Sequence, residues 1–256
     1  MELRSHEYFC GGVPRLKLMG SFDLRYDGQS VAVAPAGQRL LSLLVLSRRT
    51  VTREYVAEKM WPDAAGAHAA GSLRSALWRL PKLDQPLVIA TSSTLHVADG
   101  VETDLSMTED ILHQFIHCAE SADRRVEATP PDLEMADEVL GSDLLPEAWD
   151  DWVIVERERL HQKRLHALES LASVHRSAGR FGQALDAALR AVAGEPLRES
   201  AHREVLETYL AEGNTGEAIR HFKELRRLLH GELGLEPSLR LRRLMAEAVG
   251  TKRKEP

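Results

Sequence analysis

Six side chains with anion- and base-binding chemistry fall within eleven residues of one another: Ser72, Arg74, Ser75, Trp78, Arg79 and Lys82. The fork of Arg74 can pair bidentately with guanine O6 and N7 in a major groove. Ser72 and Ser75 suit phosphate oxygens or base edges, and Ser72 equally suits a helix N-cap. Arg79 fits a phosphate contact or an internal salt bridge, and Lys82 fits a phosphate. Trp78 can stack on a sugar, although an aromatic at this spacing is the usual material of a core. Upstream, Thr52 and Arg53 stand where a helix N-terminus would meet backbone phosphates, with simple capping the competing role for Thr52. Arg39 is a further phosphate candidate. Thr91, Ser92 and Ser93 form a polar turn that would reach a minor groove.

Other chemistries are poorly supplied. His113 and His117 share a helical face beside Cys118, but no third ligand set accompanies them, and eleven histidines make such a pair unremarkable. Asp150 and Asp151 are consecutive and point to different faces, which does not suit paired carboxylate catalysis. Two cysteines, Cys10 and Cys118, make no disulfide framework. There is no phosphate-cradling G-x-x-x-x-G-K-[ST] loop and no hydrolase-type nucleophile signature. The residues therefore predict no enzyme, no metal and no cofactor.

The elements that must position the basic segment follow from periodicity. Alternation over Phe22–Tyr26 and Val31–Val33, around Asp27-Gly28, predicts a small antiparallel sheet. Leu40, Leu41, Leu44 and Val45 predict a helix over 36–47. Thr52 caps a second, with Tyr55, Val56, Met60 and Trp61 inward, stopped by Pro62-Asp63. Leu73, Ala76, Leu77 and Leu80 lie at i, i+3, i+4 and i+7 and predict a third over 72–82, after a small-residue loop. Residues 87–98 read as a hairpin turning at Thr91–Thr94. Strands, helix, helix, helix and hairpin make the order of a winged helix, with the third helix for recognition and the hairpin as wing.

Beyond an acidic stretch at 99–104 the chain reads as helical: 105–119, a loop over 121–132, a helix at 133–140, a turn region at 141–151 and a long helix at 152–177. Gly179 and Ala184 recur as Gly213 and Ala218, an offset of 34 residues, the tetratricopeptide (TPR) period. The glycine allows the tight turn and the alanine allows close helix approach. A last helix is expected at 237–249, and the Lys252-Arg253-Lys254 end reads as a solvated tail.

The chain has 256 residues and a formal charge of −6. That charge is divided: residues 12–98 carry eleven Lys/Arg against six acids, a net +5, while 99–256 carry −10. A basic front and an acidic back predict two modules with different partners. The N-terminal residues have no apolar signal core and no apolar run spans a bilayer, so neither secretion nor a membrane is expected.

Taken together, LKLMGSFDLRYDG, AGQRLLSLLVLSRRTVTREYVAEKMWPD and GSLRSALWRLPK in the front half, and DLLPEAWDDWVIVERERL (143–160), EPLRESAHREVLETYLAEGNTGEAIRHFKELRRLLHGELGLEPS (195–238) and the closing LRRL in the back, resemble the Streptomyces antibiotic regulatory proteins. The resemblance runs over residues 15–248. It departs from the family at Ser93-Thr94, where a Gly-Tyr pair is common near the wing, and at Pro81, where a basic residue is common. It implies a mainly α fold: an α+β winged helix of the response-regulator type with a small antiparallel sheet and a wing, over 15–104, then an all-α TPR-like bacterial transcriptional activation domain over 105–248. Residues 1–14 and 249–256 would be disordered ends. It further implies an activator that binds direct repeats in double-stranded promoter DNA as a homodimer or as side-by-side protomers. The helical domain would contact RNA polymerase holoenzyme through its sigma factor, and the target would be an actinomycete antibiotic biosynthetic cluster. The location would be cytoplasmic and nucleoid-associated. The competing reading is a TPR-like protein-binding scaffold that does not touch DNA.

Overall fold

The computed structural model describes residues 12–122 and 141–252. The expected helix at 133–140, most of the 121–132 loop, nearly all of the N-terminal end and the last four residues lie outside them. The chain forms two compact units. One comprises Met1–Thr108 with Ser142–Arg159, the other Glu109–Gly141 with Leu160–Pro256.

In the first unit, β1 (Arg15–Lys17), β2 (Asp23–Tyr26) and β3 (Gln29–Ser30) form a meander, with the last strand at Gln29–Ser30 and not at the expected Val31–Val33, because the two-residue turn pairs Tyr26 with Gln29 and Arg25 with Ser30 directly. Leu16 pairs with Leu24 across β1 and β2, and both are buried. Asp27 and Gly28 turn the second hairpin at φ 50° and 76°, the left-handed conformations that a two-residue turn of matching twist demands. A fourth strand, β7 (Glu102–Thr103), adds parallel to β1, giving the order β3-β2-β1-β7. Just after it the Asp104 carboxylate accepts the Leu18 and Met19 N–H groups at 2.8 and 2.9 Å. Burial nonetheless holds this carboxyl above the usual aspartate value.

Helix α1 (Pro35–Ser47) starts with proline at its first turn and buries Leu40, Leu41, Leu43, Leu44 and Leu46, a wider apolar surface than a single stripe. Strand β4 (Val51–Thr52) leads into α2 (Arg53–Met60), where the Thr52 hydroxyl accepts the Tyr55 N–H at 3.2 Å, the expected cap. The third helix, α3, runs Gly66–Trp78 and not 72–82. The segment read as a small-residue loop is its first half, because Ala69 extends the buried stripe of Leu73 and Ala76 one turn back. Pro81 excludes helical geometry from the residue before it, so the helix stops at Trp78, with Arg79 as C-cap. Ser72 is thus mid-helix, not an N-cap, and Arg79 and Lys82 follow the helix. Strands β5 (Val88–Ala90) and β6 (Thr94–Val97) make the hairpin, and β4 joins its edge in the order β4-β6-β5. Leu40, Leu44, Val56, Met60, Leu73 and Leu95 share one core.

Residues 142–159 return to this unit. Leu145 donates to the Leu18 carbonyl and Gly20 to that of Asp143. The Arg157 guanidinium caps the carbonyls of Leu144, Leu145 and Ala148, and Trp152 packs on the winged-helix core.

Helix α4 (Asp104–Ala122) and the long α5 (Asp151–Ser177) each begin in the first unit and end in the second. There, α6 (Phe181–Gly194), α7 (Glu199–Ala211), α8 (Thr215–Leu233) and α9 (Leu239–Lys252) follow. Gly179 and Gly213, at φ 71° and 87°, turn equivalent corners, and Ala184 and Ala218 are fully buried, as the 34-residue period requires. Helix α9 continues to Lys252, so residues 249–252 are helical and not tail; buried Leu241 and Met245, one turn apart, anchor it. Within α7 and α8, buried His202 Nδ1 lies 2.9 Å from His221 Nε2, and His202 Nε2 lies 2.9 Å from the Pro196 carbonyl. The carbonyl can only accept, so His202 carries its proton on Nε2 and His221 donates to Nδ1.

Candidate nucleic-acid interface

The buried stripe Ala69, Leu73 and Ala76 fixes the rotation of α3, and its opposite face is open. His68, Ser72, Ser75 and Arg79 fall at i, i+4, i+7 and i+11 along one line. Arg74 and Trp78 stand beside it. Arg74, Ser75, Trp78, Arg79 and Lys82 are exposed and Ser72 is half-buried. Trp78 is 77 % exposed, which overturns the expectation that it packs in the core. Among the described residues no carboxylate lies in ion-pair range of Arg74, Arg79 or Lys82, so all three cations face solvent. The Ser75 hydroxyl donates to the Gly71 carbonyl at 3.1 Å and keeps its lone pairs outward. Beside this face lies a cleft of about 720 Å³ whose lining includes Pro35, Trp61, His68, Ser72, Arg74 and Arg79.

The remaining predicted residues divide by what already holds them. Arg53 is a tether of the wing: its backbone N–H donates to the Ser93 carbonyl at 2.9 Å and its Nε to that of Thr91 at 2.8 Å. The Thr91 hydroxyl accepts the N–H groups of Ser93 and Thr94 and lies 2.8 Å from the Thr94 hydroxyl, so it closes the turn. Ser92 and Ser93 are the exposed tip. Thr52 is exposed, and its capping bond leaves the hydroxyl hydrogen to donate elsewhere.

Arg39 is placed differently from its expected phosphate role. Its guanidinium makes a two-pronged bridge to Asp150, at 2.6 and 3.2 Å, and reaches the Met60 carbonyl at 3.2 Å. It ties α1, the end of α2 and the returning segment together. The same bridge explains Asp150 without any paired-carboxylate chemistry. Reading the sequence alone missed His68 and Trp61 as cleft residues. The signal for His68 was its spacing from Ser72 and Ser75, hidden once the helix was started six residues late. Among the described residues there is no group of three or more His, Cys, Asp or Glu placed to hold a metal, and no helix long and apolar enough to cross a membrane.

Comparison with known proteins gives a consistent picture. Residues 103–248 match the family model of the bacterial transcriptional activator domain. The chain is 26 % identical over 240 residues to the regulatory protein AfsR of Streptomyces coelicolor, covering 88 % of this chain and 23 % of AfsR. It is 24 % identical over 245 residues to the regulatory protein DnrI of Streptomyces peucetius, covering 90 % of each. It thus spans less than a quarter of that AfsR and nearly all of DnrI. Among solved structures, Mycobacterium tuberculosis EmbR, determined with a low-affinity phosphopeptide, superposes with a TM-score of 0.74 at 18 % identity, over 96 % of this chain and 66 % of that one. At that identity the likeness is one of fold: a mainly α protein with a winged helix and a TPR-like helical region.

Proposed function

Because the chain belongs to the family of the bacterial transcriptional activator domain, as its resemblance to the Streptomyces antibiotic regulatory proteins implied, we propose that it is a sequence-specific DNA-binding transcriptional activator. The observation that carries this reading is the solvent face of α3 and the segment that follows it, where Arg74, Arg79 and Lys82 have no acidic partner among the described residues and Trp78 is exposed. In this reading α3 enters a major groove, with Arg74 and Ser75 at base edges and Ser72 and Trp78 beside them. Arg79, Lys82, Thr52 and Arg53 lie along the phosphates. The wing tip, Ser92 and Ser93, approaches the neighbouring minor groove, with Thr91 holding its shape.

Two protomers would occupy direct repeats side by side, and residues 105–248 would recruit RNA polymerase through its sigma factor. The similarity to AfsR and DnrI supports a specialised-metabolite gene cluster as the target. A mobility-shift titration of promoter fragments at increasing salt tests the reading. Binding should weaken steeply, with log affinity falling by about 0.9 per neutralised phosphate for each unit of log salt. No shift at low salt with any promoter fragment would leave the scaffold reading in its place.

A further inference from the structure

The first unit's chemistry leaves aside one constellation in the second. His113 and His117 lie one turn apart on α4, both exposed. Their Nε2 atoms converge to 3.1 Å, with ring centroids 4.2 Å apart and planes inclined by 65°. We propose that this pair is a chelating site for a borderline divalent transition-metal cation, Cu²⁺, Ni²⁺ or Zn²⁺, with solvent completing the coordination.

The argument is the bite. A metal–nitrogen bond of about 2.0–2.1 Å places two ligand nitrogens ~3.3 Å apart on a tetrahedral centre and ~2.9 Å apart at adjacent corners of a square plane. The observed separation falls between the two, so a cation can enter with only small ring rotations. Imidazole nitrogen is the donor these cations prefer, whereas Mg²⁺ and Ca²⁺ prefer oxygen.

The second histidine pair of this unit is a useful contrast. His202 is buried, and its ring nitrogens already bond to His221 and the Pro196 carbonyl. His113 and His117 stand at the surface, where open positions around a bound ion meet water. In the metal-free pair one Nε2 carries the shared hydrogen. Binding moves that hydrogen to Nδ1 of the same ring, so both Nε2 lone pairs point at the cation.

Calorimetric titration of the full chain with CuCl₂, NiCl₂ and ZnCl₂, in a non-chelating buffer at neutral pH, tests the proposal. The tightest isotherm should have one ion per chain, with Cu²⁺ bound most strongly. His113→Ala and His117→Ala should each weaken it by about tenfold or more, since loss of a mere outer-sphere partner already costs that much. His230→Ala, which removes an exposed histidine near the end of α8, should leave it unchanged. Unaltered helicity at 222 nm certifies the variants. Absence of binding for all three cations, or a tightest isotherm that survives both substitutions, would overturn the proposal.

Discussion

The His202–His221 pair makes the second unit acid-sensitive, with a size that can be worked out. Burial holds His202 below the ordinary imidazole value of 6.5. Burial, then the neighbouring His202, push His221 down to about 4. Both rings are therefore neutral in the fold and protonate readily only when it opens. A base with a depressed folded value contributes stability that is intact above the unfolded value and lost as pH falls toward the folded one. The window is thus pH 6.5 down to about 4. For His221, the fall from 6.5 to about 4 is worth roughly 3 kcal/mol at most, a large part of a domain's total.

The assay exploits where the fluorophores lie. Trp61, Trp78, Trp149 and Trp152 all belong to the first unit, so tryptophan emission reports that unit and helicity at 222 nm weighs the second. In urea titrations between pH 7.5 and 4.5, the helicity midpoint should fall steadily below pH 6.5, ahead of the emission midpoint. Asp104 in the first unit has the opposite sign. Its raised carboxyl binds a proton more tightly folded than unfolded, so that contribution grows as pH falls toward 3.8. His221→Gln keeps a donor toward His202 and removes the depressed base, so it should flatten the helicity dependence. An unchanged pH slope in His221→Gln would refute the reasoning.

Arg74→Ala should lower promoter affinity and reduce the salt slope by about 1, or relax preference at one base pair at a cost of about 1–3 kcal/mol, with the urea midpoint unchanged. Trp78→Ala should shift stability by no more than about 0.5 kcal/mol because the ring is already in solvent, while weakening DNA binding in the same mobility-shift assay. Arg39→Ala should destabilise the first unit by about 1–3 kcal/mol in emission-monitored urea unfolding, because it strands Asp150 and the Met60 carbonyl. Thr52→Ala should cost about 1 kcal/mol in the same measurement through loss of the α2 cap.

Local rules were legible wherever a segment carried its own period or its own turn. The β2–β3 hairpin follows from its Asp27-Gly28 turn, α2 from its threonine cap, and the repeat from glycines and alanines 34 residues apart. Strands of two residues carry no period at all, so β4 and β7 were invisible; each exists only because a distant strand offers its backbone. The start of α3 was obscured because Ala and Gly fit both loop and helix. The buried surface that Ala69 meets resolves the choice.

The candidate interface divides the same way. Residue types and spacing by themselves placed Arg74, Ser75 and Trp78 off the buried stripe, since a 3.6-residue period assigns faces without reference to the rest of the chain, whereas Arg79 and Lys82 lie past the end of the helix. Which cations remain available was a tertiary matter. Arg39 and Arg74 are the same residue type near helices of the same module. One is bridged to Asp150, 111 positions away, and the other has no acid beside it among the described residues. Sequence supplies the charge and its face on the helix; only the return of residues 142–159 decides which charges are neutralised within the fold and which are left for a partner, because ion pairing depends on separation in space and not along the chain.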